Sequence, residues 1–283
     1  MSRVIDSHHH LWNFSEAEYD WIRRDMSVLR QDFTPEMLYS ELAASGIDGC
    51  VAVQARQSLE ETDRLLALAK DSPFIKGVIG WFPLQNDSVE KEIASRVEGG
   101  PDRHLVGVRH VVEDEPDPRF ILGESFNRGV GLLENYGLVY DILVNEGQLP
   151  EVLEFVDRHP RQIFVLDHLA KPRIAAGELH PWKKNLKALA GRENVYCKIS
   201  GLVTEADWHS WTPDDLKPYL DTAFEAFGAR RLMFGSDWPV CLLASSYRKW
   251  YRTLAVYCAG LSSDEKEAVF SGNAEKIYRL GLS

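Results

Sequence analysis

Two histidines one residue apart, His8 and His10, lie in Ile5-Asp6-Ser7-His8-His9-His10-Leu11-Trp12. On an extended strand alternate side chains point the same way, so both imidazoles can reach one cation through Nε2. A third histidine, His168, follows the apolar run that ends at Asp167, and a carboxylate, Asp237, stands in Phe234-Gly235-Ser236-Asp237-Trp238-Pro239. Three imidazoles and a carboxylate suit one Zn²⁺ better than Mn²⁺ or Mg²⁺. Each group also has a plainer reading. An HxH pair occurs in surface loops, Gly-Ser-Asp can cap a helix, and a buried histidine can simply bond a backbone carbonyl. What favours the chemical reading is that all four fall at the ends of strand-like runs.

Those runs are Arg3–Asp6, Gly49–Gln54, Ile75–Phe82, Leu105–His110, Gly137–Val144, Gln162–His168, Val195–Ser200 and Leu232–Ser236. They are rich in Val, Ile, Leu and Phe without polar alternation, as parallel strands buried on both faces require. Helical patterns lie between them: Thr34–Ser45, Leu59–Lys70, Ser88–Val97, Ser125–Asn135, Leu149–Arg158, Trp182–Ala190, Pro213–Phe227 and Ser262–Leu280. Thr34-Pro35 reads as an N-cap followed by a first-turn proline, and Gly46 as the stop. Strict alternation implies a parallel sheet, and eight units in 283 residues predict an α/β fold of the closed (β/α)₈ type, one domain over 1–283. Active sites of such barrels gather at the C-terminal strand ends. The polar groups predicted there are Asp6 to His10, Gln54, Arg56, Trp81, Arg109, His110, Tyr140, Asp141, Asp167, His168, Lys198, Ser200 and Asp237. A long polar-aromatic loop running to Asp32 is predicted to overhang the barrel mouth.

The composition is that of an ordinary globule, 45% hydrophobic and 27% charged. With 32 basic and 43 acidic residues the net charge is -11, which argues against nucleic acid or an acidic membrane surface as partner. Four scattered cysteines form no CxxC pair and read as reduced thiols of a cytoplasmic protein. No apolar stretch of about 18 residues and no signal-peptide core is seen. Eight tryptophans and ten tyrosines are compatible with an oligomer interface or with an aromatic pocket.

The motifs together resemble the amidohydrolase superfamily, specifically its sugar-lactonase group. They are IDSHHHLW at the start, GVRH at strand four, LDHLAKP at strand six, CKISGL at strand seven and FGSDWPV at strand eight, with FSGNAEKIY after it. The resemblance spans the chain, and CKISGLVTEADW with FGSDWPVCLL is most similar to L-fucono-1,5-lactonases, then L-rhamnonolactonases. It implies a distorted (β/α)₈ barrel and hydrolysis of a sugar aldonolactone, for which L-fucono-1,5-lactone is the first expectation. Two features depart from the wider superfamily. Strand four ends in Arg109-His110 where many members carry a metal-bridging lysine, and the usual strand-five histidine is replaced by the region of Tyr140 and Asp141. At most one metal is therefore expected, probed first as Zn²⁺, with its need for activity left open, since a related pyrone-dicarboxylate lactonase works without one.

On this reading Asp237 takes a proton from the attacking water and returns it to the ring oxygen, while His8, His10 and His168 hold the metal or donate hydrogen bonds. Gln54, Arg109, His110, Tyr140 and Lys198 are expected to bind the sugar hydroxyls, over a platform of Trp12, Trp81 and Trp238. Lys198, inside Val195-Tyr196-Cys197-Lys198-Ile199, must either reach the mouth or pair with a buried carboxylate. Arg56, His104, Arg119, His159, His180 and His209 are assigned surface or structural roles. Two other readings are weighed. A metal-dependent non-oxidative decarboxylase could use the same four groups, but would present an apolar slot with one cationic clamp. A non-catalytic binder has no reason to keep His168 and Asp237 together.

Overall fold

Apolar runs too short for helices and buried on both faces can only be satisfied by neighbouring strands, and the chain forms eight of them. The computed structural model describes residues 3–97 and 104–281. The strands are β1 (Ile5–His9), β2 (Gly49–Val53), β3 (Ile75–Gly80), β4 (Leu105–Val111), β5 (Val139–Leu143), β6 (Phe164–Leu166), β7 (Val195–Ile199) and β8 (Leu232–Phe234). They pair in parallel and in chain order. The seam between β8 and β1 is held by fewer ladder bonds. Asp237 N donates to His8 O at 2.8 Å, His10 N to Trp238 O at 2.7 Å, and Ser236 N to Asp6 Oδ1 at 2.8 Å. The barrel is thus nearly closed, and its seam runs through the histidine motif.

Helices α1 (Pro35–Ser45), α2 (Leu59–Asp71), α3 (Val89–Val97), α4 (Glu124–Val130), α5 (Leu149–Arg158), α6 (Trp182–Ala190), α7 (Leu202–Glu205), α8 (Pro213–Phe227), α9 (Tyr247–Tyr257), α10 (Ser263–Glu267) and α11 (Asn273–Ile277) follow in sequence. Side-chain caps fix several starts: Ser58 accepts from Glu61 N, and Thr212 with Asp215 forms a capping box. The last third differs from the helical pattern read in the sequence. Residues 247–257 form a helix that pattern did not include, burying Tyr247, Trp250 and Leu254 at helical spacing. Ser262–Leu280 is not one helix: a π-turn over Ala268–Gly272 separates α10 from α11. That break lets Asn273 donate to Ala229 O and Leu232 O at the foot of β8. The pattern over Ser125–Asn135 likewise breaks after Val130 into a 3₁₀ turn.

The barrel floor is apolar. Ile5, Val51, Val53, Ile79, Val106, Val139, Val165 and Met233 pack with Ala274, Ile277, Tyr278 and Leu280, so the C-terminal segment plugs the bottom. Fully buried side chains of this size contribute roughly 1.5–3 kcal/mol each. Outside the strands, a larger core joins sheet to helices. Among the described residues no helix is long and apolar enough to cross a membrane.

Candidate active site

Above the apolar plug the interior turns ionic. Side-chain alternation places Val139 and Asp141, Val165 and Asp167, and Tyr196 and Lys198 on the inner face. Lys198 pairs with Asp141 and stands 3.1 Å from Asp167 Oδ1, while Arg109 donates to Asp167 Oδ2 at 3.0 Å. Tyr278 donates from below to both oxygens of Asp141 at 3.0 Å. These groups are shielded from water, and their mutual pairing is what makes so many buried charges tolerable. Burial pushes the Asp141 carboxyl up, against the opposing pull of Lys198. Burial acts on Asp167 the same way, but Lys198, His8 and Arg109 outweigh it and hold that carboxyl well below the usual range.

His8 stands on this layer. The β1–β2 register runs Asp6↔Cys50 and then His9↔Ala52, one extra residue on β1, and this bulge carries His8 onto the interior side that Ile5 occupies. His8 Nδ1 lies 3.2 Å from Lys198 Nζ and 3.4 Å from Asp167 Oδ1. Its Nε2 lies 3.2 Å from His10 Nε2 and 3.7 Å from Asp237 Oδ1, with Arg109 3.4 Å away. Burial, with the nearby Lys198 charge, drives His8 well below the ordinary histidine value. His10 Nδ1 donates to Val53 O at 2.8 Å, and its Nε2 lies 3.4 Å from Asp237 Oδ1.

His168 and Asp237 owe their positions to unusual backbone. Residues 168–171 form a left-handed turn of four non-glycine residues, with φ of 53°, 53°, 58° and 48°. Each such residue costs roughly 1–2 kcal/mol, so the surrounding structure must impose the turn. Lys171 N→His168 O (2.9 Å) closes it, and Trp182 Nε1→Leu169 O (2.7 Å) anchors it. His168 Nδ1 shares a hydrogen bond of 2.8 Å with Ser200 Oγ, and its ring lies against Gly201. Asp237 is itself at φ 56°. Burial raises its carboxyl, but His168 and His10 outweigh this, and it ends below its ordinary value. Burial lowers His168. At neutral pH the site therefore holds an ionised Asp237 carboxylate beside neutral His8 and His168 imidazoles.

The donor set fits one metal ion. His8, His168 and Asp237 bring ligand atoms that all lie within 4.8 Å of one another. The spacings among His8 Nε2, His10 Nε2 and Asp237 Oδ1, 3.2, 3.4 and 3.7 Å, match the edge of roughly 3.3 Å expected for tetrahedral Zn²⁺ ligands at about 2.0–2.1 Å. His10 and His168 are each braced through Nδ1, as ligating histidines generally are.

These groups floor a cavity of about 630 Å³, within the range of small-molecule sites. His10, Arg109, His168 and Asp237 line it, and His8 lies directly beneath them. The loop between β1 and α1 supplies Glu18, Asp20, Trp21, Arg23 and Met26 to its wall, which realises the predicted overhang. A second hollow of about 520 Å³, between α8 and α9, contains none of these residues.

The amidohydrolase family model matches residues 5–280. The chain belongs to the amidohydrolase family. It is 42% identical to L-fucono-1,5-lactonase of Burkholderia multivorans (strain ATCC 17616 / 249), over 98% of this chain and 96% of that protein. It is 36% identical to L-fucono-1,5-lactonase of Burkholderia ambifaria, over 99% and 97% of the two chains. Among solved structures, an amidohydrolase from Burkholderia multivorans with bound zinc superposes with a TM-score of 0.93 at 41% identity, covering 99% of this chain and all of that one (100%).

In this amidohydrolase several residues expected to face the substrate do not line the cavity. Tyr140 points away from the barrel interior into Phe126, Phe155 and Phe164, because alternation gives the inner face to Asp141. His110 is likewise on the outer side: it bonds Glu115 at 2.6 Å and stacks on Phe120, and Trp81 donates to it at 3.2 Å. Gln54 is buried against the Arg109 carbonyl at 3.4 Å. Lys198 stays below the mouth with its carboxylates. Trp12 and Trp238 both pack edge-on against Phe33. Arg56, assigned above a surface or structural role, lines the cavity and pairs with Glu18 at 2.9 Å. Glu113, Lys171, Glu205 and Trp208 line it too and were not among the predicted site residues. Lys171 could have been found from LDHLAKP. Glu113 and Glu205 carry no signal, since they stand on loops and a short helix beyond the strand ends.

Proposed function

We propose that the protein hydrolyses the lactone of a neutral sugar acid to the free acid, with L-fucono-1,5-lactone the first substrate to test. The observation that carries this reading is the Asp237 carboxylate, held below its ordinary pKa among buried histidines and 3.4 Å from His10 Nε2 on the cavity floor. The activity named for the two Burkholderia relatives supports it at whole-chain coverage.

Asp237 accepts the proton of the attacking water, and His10, fixed through Nδ1 to Val53 O, stands beside it at 3.4 Å. Arg109 brings a fixed positive charge to the floor where the carbonyl oxygen gains negative charge. As the tetrahedral intermediate collapses, Asp237 returns its proton to the departing ring oxygen. One Zn²⁺, held by His8, His10, His168 and Asp237, would polarise the carbonyl or lower the pKa of water. The overhanging loop and Trp208 narrow access by bulk water.

The wall argues against the decarboxylase alternative. Glu18, Asp20, Glu113, Asp114 and Glu205 all line the cavity. The four cations that also line it, Arg23, Arg56, Arg109 and Lys171, each already pair with a carboxylate of the protein, so none stands free to clamp an aromatic carboxylate, whereas a neutral lactone meets donors and acceptors. The test is proton release in weak buffer with L-fucono-, L-rhamnono-, D-arabinono- and L-galactonolactone, before and after chelator. Turnover of at least one above its spontaneous rate is the expected result. No acid release with any lactone would sink the proposal.

A further inference from the structure

Hydroxyl recognition needs donors and acceptors on the cavity wall, and most residues first expected to provide them point elsewhere. What stands there instead is Lys171 with two glutamates. Lys171 Nζ lies 2.5 Å from Glu113 Oε1, with the two side chains 27% and 16% exposed. Glu205, on α7, lies within electrostatic reach of Lys171, Glu113 and Asp237, and has no hydrogen-bond partner among the described residues. All three line the cavity that His168 and Asp237 floor.

We propose that Lys171, Glu113 and Glu205 form a clamp for adjacent ring hydroxyls, which selects neutral polyhydroxylated lactones. The inference rests on the lactonase reading and names the groups that would give it specificity. Three observations support it. The left-handed turn sets Lys171 one turn beyond His168, so the ammonium and the reacting centre are positioned by the same strained element. An ammonium has only donors and a carboxylate only acceptors, so together they satisfy both functions of each hydroxyl. Glu113 already pairs the Lys171 ammonium, so the cluster offers a substrate carboxylate no free cation and suits an uncharged sugar ring. Burial pushes Glu205 up to about 7, so near neutral pH it can present either an acceptor or an O–H donor.

The test compares wild type, Lys171→Met and Glu205→Gln on L-fucono-1,5-lactone and on δ-valerolactone, a six-membered lactone without hydroxyls. On the sugar lactone each variant should lose about 10- to 100-fold in kcat/KM, chiefly through KM, as expected when a charged hydrogen-bond partner is removed. On δ-valerolactone each should lose several-fold less than on the sugar lactone, because the hydrolytic groups stay in place and feel Lys171 and Glu205 only through their charge. Thermal unfolding of both variants checks that they fold, and Lys171→Arg should recover part of the sugar preference. Variants that keep the wild-type ratio between the two substrates overturn the clamp while leaving lactone hydrolysis standing. So do variants that lose both activities equally. Wild type that hydrolyses neither δ-valerolactone nor any of the four sugar lactones named above overturns the lactonase reading and the clamp with it.

Discussion

Replacing Lys198 by Met removes the cation that Asp141 and Asp167 share in the barrel interior. Met fills much of the same volume, so the loss is mainly electrostatic. Asp141 keeps only the Tyr278 hydroxyl, and Asp167 keeps Arg109. Truncating one partner of a buried ion pair costs about 3–5 kcal/mol. A chain of 283 residues unfolds with an entropy near 0.6 kcal/mol per kelvin, so the midpoint should fall by about 5–8 °C. The loss should also depend on pH, with a fixed sign. Asp141 already has a folded pKa of about 6, above its unfolded value of 3.8, so its stabilising contribution is complete below 3.8 and is lost as pH rises through 6. Without Lys198 that pKa rises further, and the depressed Asp167 loses a main reason for staying ionised. The variant should therefore fall progressively further behind wild type between about pH 4 and about pH 8. Scanning calorimetry across that range reads it directly. Equal midpoints at the alkaline end, or a gap that narrows as pH rises, would refute the reasoning.

Gly201→Ala should damage the site more than the fold. A Cβ there would sit 2.6 Å from His168 Nδ1 at a φ of 68°, so His168 must move; turnover should drop by at least about tenfold for a loss of roughly 1–2 kcal/mol in stability. Unchanged turnover in a folded variant would mean that the place of His168 is immaterial. Chelator-treated protein titrated with Zn²⁺ in a calorimeter should take up one ion per chain, and His10→Gln should weaken binding by at least about tenfold. Equal affinity in that variant would remove His10 from the ligand set.

Much of the architecture was legible because it follows from burial. Runs such as Gly49–Val53 and Val139–Leu143 have no polar alternation, and parallel strands are what they form. That His8, His10, His168 and Asp237 meet at one end of the barrel was legible for a related reason, since each follows or ends such a run; the bulge and the left-handed residues that aim them were not. Tyr140 and His110 were misplaced because position near a strand end does not say which face a residue takes. Parity decides that, and a bulge like the one in β1 resets parity. Helix α9 was missed because Tyr247, Trp250 and Leu254 are an apolar stripe diluted by Arg and Lys on the solvent side. LDHLAKP points to Lys171 without saying where its side chain goes, and Glu205 carries no signal, since a left-handed turn and a four-residue helix set their positions.

The account stands or falls on Asp237. The most direct measurement is proton release from L-fucono-1,5-lactone by purified wild type and Asp237→Asn at neutral pH, with unfolding midpoints recorded for both. Wild type should hydrolyse the lactone well above the spontaneous rate, and the folded variant should be slower by at least about 10²-fold. A folded Asp237→Asn protein that turns the lactone over as fast as wild type would contradict the assignment of Asp237 as the group that moves the proton.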